Sequence, residues 1–473
     1  MRHPLERARW LLVGLAVLVH VAFRLESAQL PFMDAPLFDS AVYLHQAHAI
    51  RAGHFGDASL LAFGPLYGWF LAVFGTYAID VQIALGLVTT LLTATICARR
   101  SPEAGLVGLA LWIGYAIPLF YETLVMSETL GLCLAAAAFA TYTARSFDDL
   151  RTALLCGVLA GLATLTRANL LFALPFFVVF ALVPRDREPV RARLRRTAAM
   201  TLGIALVLGA NGLWNLAHVG RFVPVILASR TASLASAHGA WTGSLAPLGS
   251  GQAPPSAWDV VEQARVTLAS SDPAPVPSID VGGWMASSPD KLARTLSDVE
   301  TTFDYGFYGE RTELRSLAWE PISMGTLLAL GLLGALALVR RKGWRALAPY
   351  LPLVVGTLVV TTLFHPSGRY RLAMSIPLVV LAAEGIVHLL EAEAGRLRTI
   401  GLAAVLTLVV AFGVRHLTHP LASPGMWQLR VAEGEAARGW VDAARERTAR
   451  ALAIGGPDVV ERVATLRAAR ALP

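Results

Sequence analysis

The sequence predicts an all-α polytopic membrane protein that crosses the bilayer about eleven times, and three observations lead there. Hydrophobic residues make up 55% of the 473 and charged residues only 15%, against about 25% charged in soluble domains; mean hydropathy is +0.56. Apolar residues recur in charge-free runs of about 17–22, the length that matches the hydrocarbon core. Basic residues gather in short clusters between those runs, as at Arg99-Arg100, Arg191 to Arg196 and Arg340-Arg341-Lys342, which is the pattern of cytoplasmic loops. The net charge of +7 and pI near 9.6 therefore do not point to nucleic acid, since no basic face with interleaved aromatics accompanies them. Cys97, Cys133 and Cys156 all fall inside apolar runs, with neither a disulfide framework nor metal-ligand spacing.

Arg2, Arg7 and Arg9 precede the first apolar run and place the N-terminus in the cytoplasm. No small-residue cleavage site follows that run, so Trp10–Arg24 is read as a retained span rather than a signal peptide. Residues 25–77 then form a first outer loop. Within it Asp39–Ala52 reads as an amphipathic helix, with Val42, Ala49 and Ile50 apolar and Asp39, His45, Gln46 and Arg51 polar, stopped by Gly53. A second helix, Pro65–Phe74, ends at Gly75 and is too short to span. Both are expected to lie along the membrane surface.

Spans two to seven follow at Ala78–Ala98, Ala104–Tyr121, Glu128–Ala144, Thr152–Thr166, Leu170–Val183 and Thr197–Leu216. Residues 217–320, rich in Ser, Pro, Gly and Ala, read as an irregular extracytoplasmic loop or small domain. The last four spans are Ile322–Val339, Leu347–Phe364, Leu372–Leu390 and Thr399–Val414. The Ala-, Arg- and Glu-rich end of the 416–473 tail, Ala436–Ala471, reads as helical and outside. The organisation is thus an N-terminal membrane core (1–216), the long loop (217–320), C-terminal spans (321–415) and a tail (416–473).

Polar groups at membrane depth are costly and face a cavity or a partner. Here they collect on the outer side: Asp34 and Asp39 in the first loop, Glu122 and Glu128 between spans three and four, Arg167 at a hairpin tip, and Arg369-Tyr370-Arg371 before span ten. Carboxylates and arginines converging on one membrane face suit an anionic lipid substrate and a general base. Asp39 is the leading candidate base, although Asp is also a favoured helix cap. Asp34, in an Asp-Ala-Pro that is also ordinary turn chemistry, and Glu122 are further catalytic candidates. Arg369, Arg167 and Arg371 are candidate phosphate ligands, because guanidinium groups make bidentate charge-assisted bonds to phosphate; snorkelling from a span end is their bland alternative. Tyr43, Glu128, Tyr370 and His45 are candidate lining residues. No metal-ligand set is visible and no cofactor is implied, while the carboxylates leave room for a divalent cation. His20 and His388, inside apolar runs, are expected to bond neighbouring helices. Trp241, Trp258 and Trp284 in the long loop are expected to pack.

The stretch Asp34-Ala-Pro-Leu-Phe-Asp39-Ser-Ala-Val-Tyr43-Leu-His-Gln-Ala47, then Gly53, then Gly64-Pro65-Leu66-Tyr67-Gly-Trp69-Phe-Leu-Ala72, resembles the first outer loop of the GT-C membrane glycosyltransferases. The bacterial family 39-like enzymes, related to protein O-mannosyltransferases and aminoarabinose lipid A transferases, are the nearest in pattern. Gly161-Leu-Ala-Thr-Leu-Thr166-Arg167 is similar to their hairpin motif, Gly220-Arg-Phe-Val-Pro224 to their segment after span seven, and Arg369-Tyr370-Arg371-Leu with Pro377 to their late motif. The resemblance runs from residue 1 to about 390. It departs at Ser40, where the family often has a second acidic residue, at Trp214-Asn215 and at His238-Gly239.

The resemblance implies a GT-C-like fold. It also implies transfer of a sugar from a polyprenyl-phosphate donor to a lipid, glycan or protein acceptor at the outer face of the bacterial inner membrane, with Asp39 as general base. Two other readings stay open. A transporter or lipid flippase would show broken spans and related halves, and the sequence displays neither. A lipid-linked glycan polymerase or ligase would place its main constellation in the long late loop.

Overall fold

The structure is a computed structural model that describes residues 2–28, 39–184, 188–226, 257–269, 281–297, 314–318, 321–364, 366–390, 424–468 and 472. Asp34, Trp241 and the expected span Thr399–Val414 lie outside the described residues. Every regular element among the described residues is helical. In chain order these are α1 (Arg2–Ser27), α2 (Asp39–Arg51), α3 (Ser59–Ala62), α4 (Pro65–Phe74), α5 (Ala78–Ala98), α6 (Pro102–Gly114), α7 (Ala116–Glu122), α8 (Glu128–Tyr142), α9 (Leu150–Thr166), α10 (Leu174–Ala181) and α11 (Val190–Val219). There follow α12 (Ala257–Ala269), α13 (Val281–Leu296), α14 (Arg315–Ala318), α15 (Met324–Lys342), α16 (Leu351–Leu363), α17 (Gly368–Leu390), α18 (Pro424–Ala437), α19 (Val441–Ile454) and α20 (Pro457–Ala468).

Among the described residues six helical stretches are long and apolar enough to cross a membrane, and a bent pair, taken as one span, makes a seventh. The chain is a multi-pass membrane protein. Three further apolar helices, Glu128–Tyr142, Leu150–Thr166 and Ala168–Ala181, are shorter and occupy the positions expected for spans four, five and six. The centre of the bundle is α17. Its residues from Arg371 to Gly385 are all buried, and no charge falls between Leu372 and Ala383, as befits a helix apolar all round over that length. At the periphery, α1 leaves Trp10, Leu11, Leu18 and Leu25 exposed, an apolar surface suited to lipid. Helices α9 and α11 touch backbone to backbone: a Cβ on Gly157 would stand 1.9 Å from the Met200 carbonyl oxygen. Small residues permit this close packing where no hydrophobic force separates helix from lipid.

Three expectations are corrected. The run Ala104–Tyr121 is not one straight span. It breaks at Tyr115, and α6 and α7 meet at 58°. Pro118 lacks the N–H that would have bonded the Gly114 carbonyl, and that carbonyl instead accepts from the Ile322 amide at 3.1 Å. The helix Pro65–Phe74 is not isolated, because it continues through a 3-10 turn at Gly75–Tyr77 into α5 as one apolar stretch, Pro65–Ala98. Gly75 takes a positive φ of 56° there, and Arg51 donates to the Leu71 and Ala72 carbonyls at 3.0 and 2.9 Å, satisfying the end of α4. Gln46 is not on a polar face. It is fully buried and donates to the Ser59 carbonyl at 2.6 Å, fastening α2 to α3. The described part of the 217–320 segment includes the helices α12, α13 and α14.

Candidate active site

Four charged side chains from four separate elements meet at one end of the bundle. Asp39 is the first residue of α2, Glu128 the first of α8, Arg167 the residue just after α9, and Arg369 the second of α17. The Arg369 guanidinium donates from Nη2 to Asp39 Oδ2 at 2.8 Å and from Nε to Glu128 Oε1 at 2.5 Å. The Arg167 guanidinium pairs with the same Glu128 oxygen and donates from Nε to Asn169 Oδ1 at 3.2 Å. Two carboxylates and two guanidiniums therefore compensate one another, with Arg369 as the shared member. Helix ends favour the arrangement, since both carboxylates sit at positive N-termini and Arg167 follows a negative C-terminus.

Depth separates the members. The Glu128 side chain is 1% exposed and the Arg167 side chain 8%, whereas Arg369 and Asp39 are 14% and 16% exposed. Glu128 is thus the interior counter-ion of both arginines, and the Asp39–Arg369 pair stands at the mouth.

The surrounding residues hold this geometry. Tyr43, one helical turn after Asp39, is buried and shares a hydrogen bond with Ser127 Oγ at 3.0 Å, tying α2 to the start of α8. Its ring packs edge-on against Tyr67 and Phe63, at 4.8 and 5.6 Å between centroids. Burial first, then the charges of Asp39 and Glu128, push the Tyr43 phenol well above its ordinary range, so it stays protonated and serves as a hydrogen-bonding group. Tyr67 donates its hydroxyl proton to Gln82 Oε1. Gln82 in turn donates to the carbonyls of Glu122 and Leu124, both at 2.9 Å, fixing the turn that delivers Ser127 and Glu128. Gly131 is the other requirement: a Cβ there would lie 2.8 Å from Arg167 Cδ, so only glycine lets Arg167 lie across α8.

The remaining candidates go elsewhere. Glu122 is buried and pairs with His20 Nδ1 at 2.6 Å, with His20 Nε2 3.4 Å from Thr90 Oγ1. It lines with Glu128, Trp112, Thr129 and Leu372 a narrow crevice no larger than about a water molecule. His45 lies 3.3 Å from Asp57 Oδ2 and packs edge-on against Trp258 of α12, with 5.3 Å between centroids. The Tyr370 amide donates to the Ser367 carbonyl at 3.0 Å. Arg371 is 1% exposed and donates from Nη1 to the carbonyls of Thr295 and Ser297, at 3.0 and 2.6 Å. Among the described residues no cluster of three or more His, Cys, Asp or Glu is placed to hold a metal. Sequence reasoning missed Gln82 and Ser127. An amide inside an apolar run was the available signal for Gln82; Ser127 carried none.

No protein-family model matches the chain, and no curated protein matches it. Solved structures similar to it include the oligosaccharyltransferase of Archaeoglobus fulgidus in three forms. Tethered to an acceptor peptide, that protein is 12% identical over 86% of this chain and 54% of its own, with a TM-score of 0.43. In complex with an inhibitory peptide and a dolichol-phosphate, it is 12% identical over 91% of this chain and 59% of its own, with a TM-score of 0.44. The apo form is 11% identical over 90% and 59%, with a TM-score of 0.40. The chain thus spans a little over half the length of the solved structures it matches.

Proposed function

We propose that the chain is a GT-C-type membrane glycosyltransferase. It moves a sugar from a polyprenyl-phosphate donor to the hydroxyl of a lipid, glycan or protein acceptor. The observation that carries this reading is Arg369, shared between Asp39 at the mouth and Glu128 in the interior, with Arg167 behind. Two guanidiniums at the outer turns suit the donor phosphate. A phosphate drawing Arg369 toward itself would loosen Asp39 at the moment a base is needed. In the transfer, the acceptor oxygen bonds to the anomeric carbon as the bond from that carbon to the phosphate oxygen breaks. The polyprenyl phosphate departs with that electron pair, and the acceptor proton passes to Asp39. Glu128, buried and paired with both arginines, keeps them in place. A divalent cation entering here would compete with Arg369 for both carboxylates. The arginine clusters between the apolar runs support a cytoplasmic N-terminus, with this network on the outer face of the inner membrane.

The bent pair α6–α7 favours a second reading, a transporter or flippase built around a broken helix. One experiment separates the two. Purified protein in liposomes is incubated with radiolabelled polyprenyl-phosphate sugars and an envelope-lipid acceptor extract. Label should leave the donor lipid, and Asp39→Asn should slow this by about 10²–10⁴-fold while donor binding persists. Label that crosses a liposome bilayer still attached to its lipid would establish the transporter instead.

A further inference from the structure

Arg369 and Arg371 are two residues apart on α17, so their side chains project about 200° from one another. Arg369 faces the carboxylates. Arg371 faces α13, a helix of the long 217–320 segment, and is buried rather than reaching for the surface. Its two acceptors, the Thr295 and Ser297 carbonyls, lie at the C-terminal end of α13, where carbonyls lack helical partners and a cation is favoured.

The contact is reciprocal. Lys291 of α13, also buried, donates from Nζ to the Thr362 carbonyl at 3.2 Å. Thr362 is in the last turn of α16, where its carbonyl is an orphan of the same kind. α13 therefore sends Lys291 to the open end of α16, and α17 sends Arg371 to the open end of α13. The short turn between α16 and α17 is held at both its edges, and within it Ser367 Oγ accepts from the Arg369 amide at 3.3 Å.

We infer that α13 is a strut that sets the position of Arg369, with Lys291 and Arg371 as positioning residues that act through the α16–α17 turn. The inference rests on the glycosyltransferase reading for its consequence in catalysis, although the mechanical coupling stands apart from it. Arg371, 1% exposed, then acts through α13 and not on the donor phosphate. It also gives the long outer segment a physical route to the donor arginine.

The test uses the full chain in nanodiscs with Lys291→Met, Arg371→Met and the double variant, each of which removes the charge and keeps an unbranched apolar stem. Hydrogen exchange is followed in peptides covering 281–297 and 364–372, together with donor-lipid affinity, KM and kcat. Each single variant should raise exchange in both segments at once. Each should lower kcat about ten- to a hundredfold, the cost of a misplaced group near the chemistry, with donor affinity little changed. The double variant should be no worse than the worse single. Lys291→Gln, which keeps a donor for the Thr362 carbonyl, should recover most of the loss and remains informative if a methionine variant fails to fold.

A Lys291→Met protein with wild-type kcat, beside an Arg371→Met protein that loses donor affinity tenfold, would make Arg371 a phosphate ligand and overturn the strut. Exchange that rises in one segment only would overturn it as well. If the wild type never moves label off the donor, the glycosyltransferase reading fails, and joint exchange of the two segments still decides the strut.

Discussion

Removing both members of the Asp39–Arg369 pair should cost less than the sum of removing each. The pair is 2.8 Å apart with side chains 14% and 16% exposed, so neither bulk water nor a dry interior describes it. At an effective dielectric of 20 the Coulomb attraction is about 6 kcal/mol. Desolvation of both groups cancels much of that, and breaking such a pair from one side costs about 3–5 kcal/mol when it is fully buried. Partial exposure argues for the lower end, about 3 kcal/mol for Arg369→Met. Glu128 keeps Arg167 in that variant, so the loss falls chiefly on Asp39. Asp39→Asn keeps a hydrogen-bond acceptor for Arg369 and should cost about 1 kcal/mol. In the double variant no unpaired carboxylate remains at the mouth, and a coupling of about 1–3 kcal/mol should appear. Reversible unfolding of the three variants and wild type in mixed detergent micelles measures it. Additivity within about 0.5 kcal/mol would mean that the two side chains do not act on one another, and the shared-arginine argument for the site would fall with it.

Three further outcomes follow from other features. Gly131→Ala, which sets a Cβ 2.8 Å from Arg167 Cδ, should destabilise by about 1–3 kcal/mol and lower transfer, since Arg167 is held on Glu128 and Asn169; a variant with wild-type melting and turnover would show that Arg167 shifts freely. Glu122→Gln should keep its hydrogen bond to His20, cost about 1 kcal/mol and leave transfer within a few-fold of wild type, whereas a hundredfold loss at unchanged melting temperature would return Glu122 to the chemistry. For topology, the native cysteines are buried, so His54→Cys should react with an impermeant thiol reagent from the outer side and Arg341→Cys should not; the reverse pattern would invert the orientation drawn from the arginine clusters.

Much of the fold was legible because burial in lipid imposes a simple rule. Long apolar runs must be helices, and basic clusters mark where they stop. The start of α2 at Asp39 and the limits of α4 at Pro65 and Phe74 were also readable, since proline opens a helix and glycine closes one. The break at Tyr115 was not. Pro118 lies within the first turn of α7, where proline is ordinary, and the lost bond is replaced by an amide from Ile322, more than two hundred residues away in the chain. Local sequence has no term for that partner. Gln46 was misread for a related reason: its acceptor is a carbonyl on the next helix, and an amide with a partner buries as readily as an apolar side chain.

The site divides along the same line. Residue type announced that carboxylates and arginines belong together on one face, but pairing depends on which face of each helix they occupy. Glu122 and Glu128 look alike in sequence, six residues apart. One ends α7 and turns toward His20, while the other starts α8 and turns toward two arginines. Arg369 and Arg371 look like a matched pair in the same motif, yet the helical repeat sends one to Asp39 and the other to α13. A motif read as a string merges these residues. Helical phase separates them, and it also reveals why the string is needed whole: the residue that meets the carboxylates and the residue that steadies its turn must leave opposite sides of one helix.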